Sequence, residues 1–209
     1  MTKLKLRTLN DQQLVEEAQK GNTTAFEELI KRYEDRIYSL AYRILQDKEE
    51  AYDVLQETAI SAFKNINRFK GKSSFSTWIY RIALNFALMR KRKQKSLLKK
   101  AQILQPEDDD KISQFIDISE KQNITDWSEN PILNLENQEL KNLLIESLNK
   151  LPEKYRNVLI LKELEGRPVE EVAKILGIST SATKTRLHRG RLYLRGLLDQ
   201  YVTQYSFKG

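Results

Sequence analysis

The segment between Thr180 and Arg195 combines short hydroxyl side chains with basic ones, and no acid follows until Asp199. Hydroxyl, ammonium and imidazole groups can bond to base edges in the DNA major groove, and guanidinium groups suit phosphates. An arginine-rich helix is also a common solvated surface, so the segment needs structural support for a DNA role. We expect Lys184, Thr185 and His188 to read bases. The full set of predicted duplex contacts is Thr180, Ser181, Lys184, Thr185, Arg186, His188, Arg189 and Arg191.

That support comes from the residues just before the basic segment. Ala173 is small enough for a close helix crossing, Gly177 suits a left-handed turn, and Ile178 can pack beneath that turn. Ser179 can then cap the next helix, whose inward face includes Thr183 if the threonine hydroxyl finds a backbone carbonyl. The pattern is typical of a helix-turn-helix, which presents its second helix to the major groove.

A second cationic region lies in the first half of the chain. Arg68, Phe69, Lys70 and Lys72 surround Gly71, and the helix predicted to follow ends in an acid-free block, residues 90–95. Aromatic rings among cations offer stacking for an unpaired base, and a basic block can follow a phosphate backbone. Trp78, near the start of that helix, fits core packing as well as base stacking.

Acidic side chains define a third surface within this basic half. Asp53 and Glu57 lie four residues apart and therefore share a helix face, with Gln56 beside them. The spacing alone indicates no more than an ordinary solvated face.

Helical periodicity predicts an all-α protein of two small domains, residues 10–95 and 131–201, joined by a flexible acidic linker, residues 96–130. Asn10 and Asp47 are expected N-caps, with Glu50 in the capping-box position after Asp47. Between 106 and 130 the chain has eight acids against two lysines, which is typical of an extended linker. The predicted helices span residues 11–20, 23–45, 48–66, 74–95, 135–151, 152–164, 169–176 and 180–201.

Composition narrows the functional classes. The net charge of +7 is compatible with a polyanionic partner. The absence of cysteine and the single His188 exclude thiolate chemistry and a histidine-cluster metal site, and no phosphate-binding glycine loop or catalytic triad is present. We therefore expect no enzymatic activity, no cofactor, no metal and no small-molecule substrate. No apolar run is long enough for direct membrane insertion, which favours a cytoplasmic protein.

Five ordered motifs together resemble the extracytoplasmic-function (ECF) branch of the bacterial sigma factors, the promoter-recognition subunits of RNA polymerase. They are residues 25–33 (AFEELIKRY), 53–58 (DVLQET), 69–85 (FKGKSSFSTWIYRIALN) and 151–156 (LPEKYR), together with the helix-turn-helix. Ser181, Ala182 and Thr183 stand where many relatives have Gly-Thr-Val. By this resemblance, the first domain binds the melted minus-ten strand and the second binds the minus-thirty-five duplex.

The resemblance also implies partners. Asp53, Gln56 and Glu57 correspond to the position that docks on the clamp helices of the largest subunit of the RNA polymerase core, and the flap of the second-largest subunit is a further contact. The linker corresponds to a segment that enters the polymerase, and an anti-sigma factor is a common regulator of such proteins. The resemblance also implies that the loop 67–74 holds a flipped-out base. The implied contacts to the minus-ten strand are Arg68, Phe69, Lys70, Lys72, Ser73, Trp78, Arg81, Asn85 and Lys91.

Two alternatives come from other functional classes. A stand-alone helix-turn-helix regulator would act as a dimer and recognise a two-fold duplex site without polymerase. A nucleic-acid-modifying enzyme would need a convergent acid, base or metal set.

Overall fold

Helices make up all the regular secondary structure in the part of the chain that the computed structural model describes, residues 6–100 and 138–206. The chain divides into two compact units. The predicted all-α class is confirmed. The predicted linker lies outside the described residues except at 96–100, where the last helix of the first unit continues past the expected boundary.

The first unit consists of helices whose apolar faces meet in one core. Its elements are α1 (Asp11–Gln19), α2 (Thr23–Lys31), α3 (Glu34–Leu45), α4 (Lys48–Asn65), a 3₁₀ turn (Ile66–Arg68) and α5 (Phe75–Lys100). Leu29, Ile37, Leu40, Ile79 and Tyr80 are fully buried. Their burial fixes α3 against α5, the helix that follows the cationic loop.

Both predicted N-caps of this unit are confirmed. The Asn10 side chain accepts from Gln13 N, and the Gln13 side chain accepts from Asn10 N, which completes a capping box. Asp47 accepts from Glu50 N at 3.0 Å. The carboxylate of Glu50, however, accepts a hydrogen bond from Arg90, which lies 40 residues later in the chain.

The single helix predicted over residues 23–45 is wrong, because the chain bends at Arg32 and Tyr33 to give α2 and α3. Arg32 donates to Asp11 Oδ1 at 3.0 Å and to Leu9 O at 2.8 Å, and the Tyr33 hydroxyl donates to Asp11 Oδ2. These long-range bonds anchor the bend to the start of α1. The apolar stripe continues across the bend, so periodicity does not reveal it.

The second unit contains the predicted helix-turn-helix. Its elements are α6 (Gln138–Lys150), α7 (Glu153–Leu159), a π-helical turn (Ile160–Leu164), α8 (Val169–Leu176) and α9 (Thr180–Ser206). The predicted helix 152–164 therefore begins one residue later, after Pro152 as N-cap, and its last turn is wider than an α-helix. The bond from Glu165 N to Ile160 O, at 2.9 Å, closes that wider turn.

The turn between α8 and α9 has the expected geometry. Gly177 adopts the left-handed conformation with φ of 67°, and Ile178 N donates to Ala173 O at 3.1 Å. Ser179 Oγ accepts from Ala182 N at 3.1 Å, so the predicted cap of α9 is confirmed. Thr183 is fully buried, and its hydroxyl donates to Ser179 O at 3.0 Å, which satisfies the polar group at this inward position.

Candidate nucleic-acid interfaces

One face of α9 carries the residues predicted to read duplex DNA. Thr180, Ser181, Lys184, Thr185 and His188 are all exposed. The opposite face packs into the unit through Thr183, Leu187 and Leu194, which are at most 5% exposed. The cap at Ser179 and the core on the other side therefore fix which side chains a groove would meet.

The basic residues of α9 are not equivalent. Arg186 and Arg189 are half-buried and flank the exposed face beyond Thr185, Arg189 by about 40° and Arg186 by about 100° around the helix. The Arg191 guanidinium instead donates to Glu163 Oε1 through Nε at 3.1 Å and through Nη2 at 2.5 Å. The side chain of Glu163 is only 5% exposed, so Arg191 neutralises a buried carboxylate of the π-helical turn. We therefore leave Arg191 out of the proposed DNA surface.

The cationic loop of the first unit rests on an aromatic cluster. The Phe69 ring centroid lies 5.0 Å from Trp78 and 6.0 Å from Phe75, and Phe75 lies 5.6 Å from Trp78. Phe75 is buried, whereas Phe69 and Trp78 are half-buried. Trp78 thus packs in the cluster and keeps part of its ring open, so its position is compatible with both core packing and base stacking.

Beside this loop lies a groove of about 1020 Å³ between α1 and residues 69–75. The three predicted cations of the loop, Arg68, Lys70 and Lys72, are exposed, and Ser73 is half-buried. Gln19 of α1 forms part of the groove wall, and its amide donates to Ile66 O and Phe69 O, both at 2.9 Å. Sequence reasoning missed Gln19, because its partners lie 47 and 50 residues away.

An exposed strip runs along α5 away from the loop. At about 100° per residue, Trp78, Arg81, Asn85, Met89 and Arg92 fall on one side of the helix, and all but Trp78 are exposed. Met89 is 58% exposed and was missed, although the same spacing identifies it. Lys91 is half-buried and lies about 80° from Arg81 and about 120° from Asn85 around the helix, so it is not grouped with them.

The acidic face of α4 is more extensive than predicted. Asp53 and Gln56 are exposed and Glu57 is half-buried, while Glu50 shares their side of the helix. Arg90 of α5 bonds all three carboxylates: Glu50, Asp53 at 3.2 Å and Glu57 at 2.9 Å. The bonds to Glu57 and Glu50 raise the pKa of Arg90 further above its already high ordinary value. The i, i+3, i+7 spacing of the acids could have identified Glu50.

Apolar side chains border these acids on the same helix. Tyr52, Ile60 and Phe63 are 53%, 54% and 50% exposed, and they surround Gln56 on the outer side of α4. Large exposed side chains next to charged ones are typical of a protein-binding surface.

Metal sites and membrane-spanning helices are both absent from the described residues. No cluster of three or more His, Asp or Glu side chains there could hold a metal ion. Nor does any helix in that part of the chain combine the length and apolar character needed to cross a membrane.

Comparisons with known proteins match the two helical units to two protein families. The family Sigma-70 region 2 matches residues 29–97, and the family Sigma-70, region 4 matches residues 141–194. The ECF RNA polymerase sigma factor SigW of Bacillus subtilis is 36% identical, with 87% of this chain and 92% of that protein covered. The ECF RNA polymerase sigma-E factor of Haemophilus influenzae is 33% identical, with 88% and 92% covered.

Solved structures show the same fold. CnrH in complex with the cytosolic domain of CnrY matches with a TM-score of 0.64 at 24% identity, with 91% of this chain and 97% of that chain covered. The sigma factor RpoE of Bartonella quintana, in complex with the anti-sigma factor NepR, matches with a TM-score of 0.60 at 20% identity, with 83% and 96% covered.

The sequence matches to both Sigma-70 regions define a sigma subunit of RNA polymerase. The chain belongs to the ECF family of RNA polymerase sigma factors. It is an RNA polymerase sigma factor that functions in transcription initiation, and the alternative of a stand-alone helix-turn-helix regulator is not supported.

Proposed function

We propose that the second unit recognises the minus-thirty-five promoter element as duplex DNA through the exposed face of α9. The observation that carries this proposal is the sorting of α9 into a buried apolar side and an exposed polar side. Lys184, Thr185 and His188 are the base-reading residues, and Arg186 and Arg189, which flank the face, anchor phosphates. Short and basic side chains near the start of a recognition helix suit this division of roles.

The first unit captures the unpaired minus-ten strand. The loop cations Arg68, Lys70 and Lys72 attract the strand, and the groove beside Phe69 receives an unstacked base. The exposed strip of α5 continues the path, with Arg81 and Asn85 as polar contacts. Support comes from the groove volume and from the partly open rings of Phe69 and Trp78.

The outer side of α4 docks on the polymerase core. Its residues Asp53, Gln56 and Glu57 bind the clamp helices of the largest subunit. The apolar residues beside Gln56 enlarge this surface, since binding sites combine an apolar centre with a polar rim. Docking holds the two DNA-binding units at a fixed separation and thereby raises their effective concentration on a promoter. The polymerase supplies the chemistry; the sigma factor itself is not an enzyme and melts DNA without ATP.

A cytoplasmic location and control by an anti-sigma factor complete the proposal. The structural neighbour RpoE was solved with the anti-sigma factor NepR, and CnrH was solved with the cytosolic domain of CnrY. Such a partner would cover the surfaces that bind polymerase and DNA. A pull-down from cells that recovers core polymerase subunits alone would contradict control by this kind of partner.

Run-off transcription with core polymerase and a library of random promoters tests the function. We expect sequence-selective starts that depend on this chain. Transcription no more selective than with core polymerase alone would defeat the proposal.

The assignment of base contacts is tested by Lys184→Ala. We expect relaxed selection at the upstream element and a loss of discrimination of about 1–3 kcal/mol at the base that Lys184 reads. The matched control is Lys154→Ala, since Lys154 is an exposed lysine of α7 in the same unit, and its ammonium lies 5.0 Å from the Tyr155 ring centroid. Equal changes in selectivity from both variants would show that bulk charge, not a base contact, is being measured.

A further inference from the structure

Arg90 occupies an unusual position for a residue of a basic block. Sequence analysis grouped it with residues 90–95 as a follower of phosphates, yet its guanidinium turns away from the exposed strip of α5 towards α4. One Nη bonds Glu50 and Asp53, the other bonds Glu57, and the side chain is only 21% exposed. Arg90 thus joins the helix proposed to line DNA to the helix proposed to bind polymerase.

The three acids need such a partner to keep a defined geometry. Glu50, Asp53 and Glu57 are like charges on one side of α4, and like charges at this spacing repel one another. A planar guanidinium presents donors in a fixed fork, so it fixes the rotamers of the carboxylates as well as reducing their repulsion. One cation against three carboxylates still leaves the face acidic.

The acids differ in what they offer to a partner. Asp53 is the most open, with 57% of its side chain exposed, compared with 41% for Glu57. Glu57 Oε2 is buried and has no hydrogen-bond partner among the described residues, while Oε1 accepts from Arg90. Glu57 therefore holds Arg90 with one oxygen and buries the other, so Asp53 and Gln56 are the more open contacts for the polymerase.

We infer that Arg90 is a positioning residue for polymerase docking, which orders the acidic face of α4 before the polymerase arrives. This inference rests on the proposed docking role of Asp53, Gln56 and Glu57. Ordering side chains in advance removes part of the entropy that association would otherwise lose. The sign of the effect is distinctive, because simple charge counting predicts that loss of Arg90 makes the face more acidic and strengthens binding to a basic partner.

The test measures affinity of the full-length protein for core polymerase, with fluorescence anisotropy of a labelled sigma factor at two salt concentrations. We expect Arg90→Gln to weaken binding by about tenfold, as loss of order in two or three side chains implies. Arg90→Lys keeps the charge but loses the fork, and it should weaken binding by at least about threefold. The matched control is Lys31→Gln, because Lys31 is exposed on α2, outside the proposed docking helix.

A double-mutant cycle separates positioning from a general loss of structure. In the Asp53→Asn/Glu57→Gln background, Arg90→Gln should add little, because the groups it orders are gone. If Arg90→Gln lowers the thermal stability of the protein, the cycle and the Arg90→Lys variant still decide the question.

Each result has a defined meaning. If Asp53→Asn/Glu57→Gln leaves polymerase affinity unchanged, the proposed docking face is wrong and the inference falls with it. If that double variant weakens binding while Arg90→Gln binds as tightly as the native protein or more tightly, docking on α4 stands and the positioning role of Arg90 is refuted.

Discussion

Replacing Gly190 by alanine sets two known effects against each other in the middle of α9. From sequence alone, Gly190 is a defect in the helix, because glycine is less favourable than alanine by about 1 kcal/mol in a helix interior. In the structure a Cβ at this position would lie 3.0 Å from Leu159 Cδ1, 3.3 Å from Leu159 Cγ and 3.4 Å from Tyr155 Cβ. The glycine therefore lies at a close approach of α7 to α9.

The structure indicates which effect prevails. Leu159 is fully buried, so its side chain has little room to move away from an added methyl group. Overpacking of a filled core destabilises by about 1–3 kcal/mol, which exceeds the helix gain of about 1 kcal/mol. We expect Gly190→Ala to destabilise the second unit by about 1 kcal/mol and Gly190→Val by about 3 kcal/mol, since valine adds two further carbons at the contact.

Amide hydrogen exchange in urea measures this effect, because peptides covering α7 report the opening of the second unit alone. Gly196→Ala is the matched control, since Gly196 lies in the same helix and is half-exposed. It should show the helix gain without the buried contact. Slower exchange in Gly190→Ala than in the native protein would refute the claim that Gly190 is required by close packing.

Two further predictions concern Arg191, which is bonded to Glu163, and Gln19, which the sequence did not identify. Arg191→Gln should destabilise the second unit by about 2–3 kcal/mol, because it leaves the buried carboxylate of Glu163 alone. Glu163→Gln should cost only about 1 kcal/mol, because the guanidinium that it leaves reaches water. Hydrogen exchange of α7 peptides measures both changes, and a loss of promoter affinity by Arg191→Gln at unchanged stability would restore its predicted DNA contact. Gln19→Leu removes two bonds to loop carbonyls, so we expect it to bind a single-stranded minus-ten oligonucleotide about tenfold more weakly. Binding of the minus-thirty-five duplex is the internal control. An affinity for the single strand equal to that of the native protein would show that the loop keeps its shape without Gln19.

Local chemistry made much of the fold predictable. The caps at Asn10, Asp47 and Ser179 and the left-handed turn at Gly177 depend on atoms a few residues away, so the sequence carries the full signal. The inward position of Thr183 was likewise readable, because its hydroxyl bonds a carbonyl four residues earlier. The exposed face of α9 then follows from helical spacing.

Long-range bonds account for the features that were not predicted. The bend at Arg32 depends on acceptors more than 20 residues earlier in the chain, and Gln19 acts on carbonyls 47 and 50 residues later. Arg191 and Glu163 are 28 residues apart. In each case the residue type and its immediate neighbours are compatible with a solvated side chain, so periodicity offers no means of detecting the partner.

The basic residues show how far a charge pattern supports a functional site. Several arginines that the sequence would count towards a cationic surface are used inside the units: Arg32, Arg90, Arg156, Arg167 and Arg191 all donate to carboxylates or carbonyls of other segments or turns. Lys70, Lys72 and Lys184, in contrast, are exposed on the proposed DNA surfaces. A guanidinium serves several acceptors at once in a fixed plane, whereas an ammonium is strongly hydrated and favours the surface. In this sigma factor several arginines are therefore committed to contacts within the units, whereas others, such as Arg68 and Arg81, stay exposed on the proposed surfaces, so net charge alone overstates the area available to DNA.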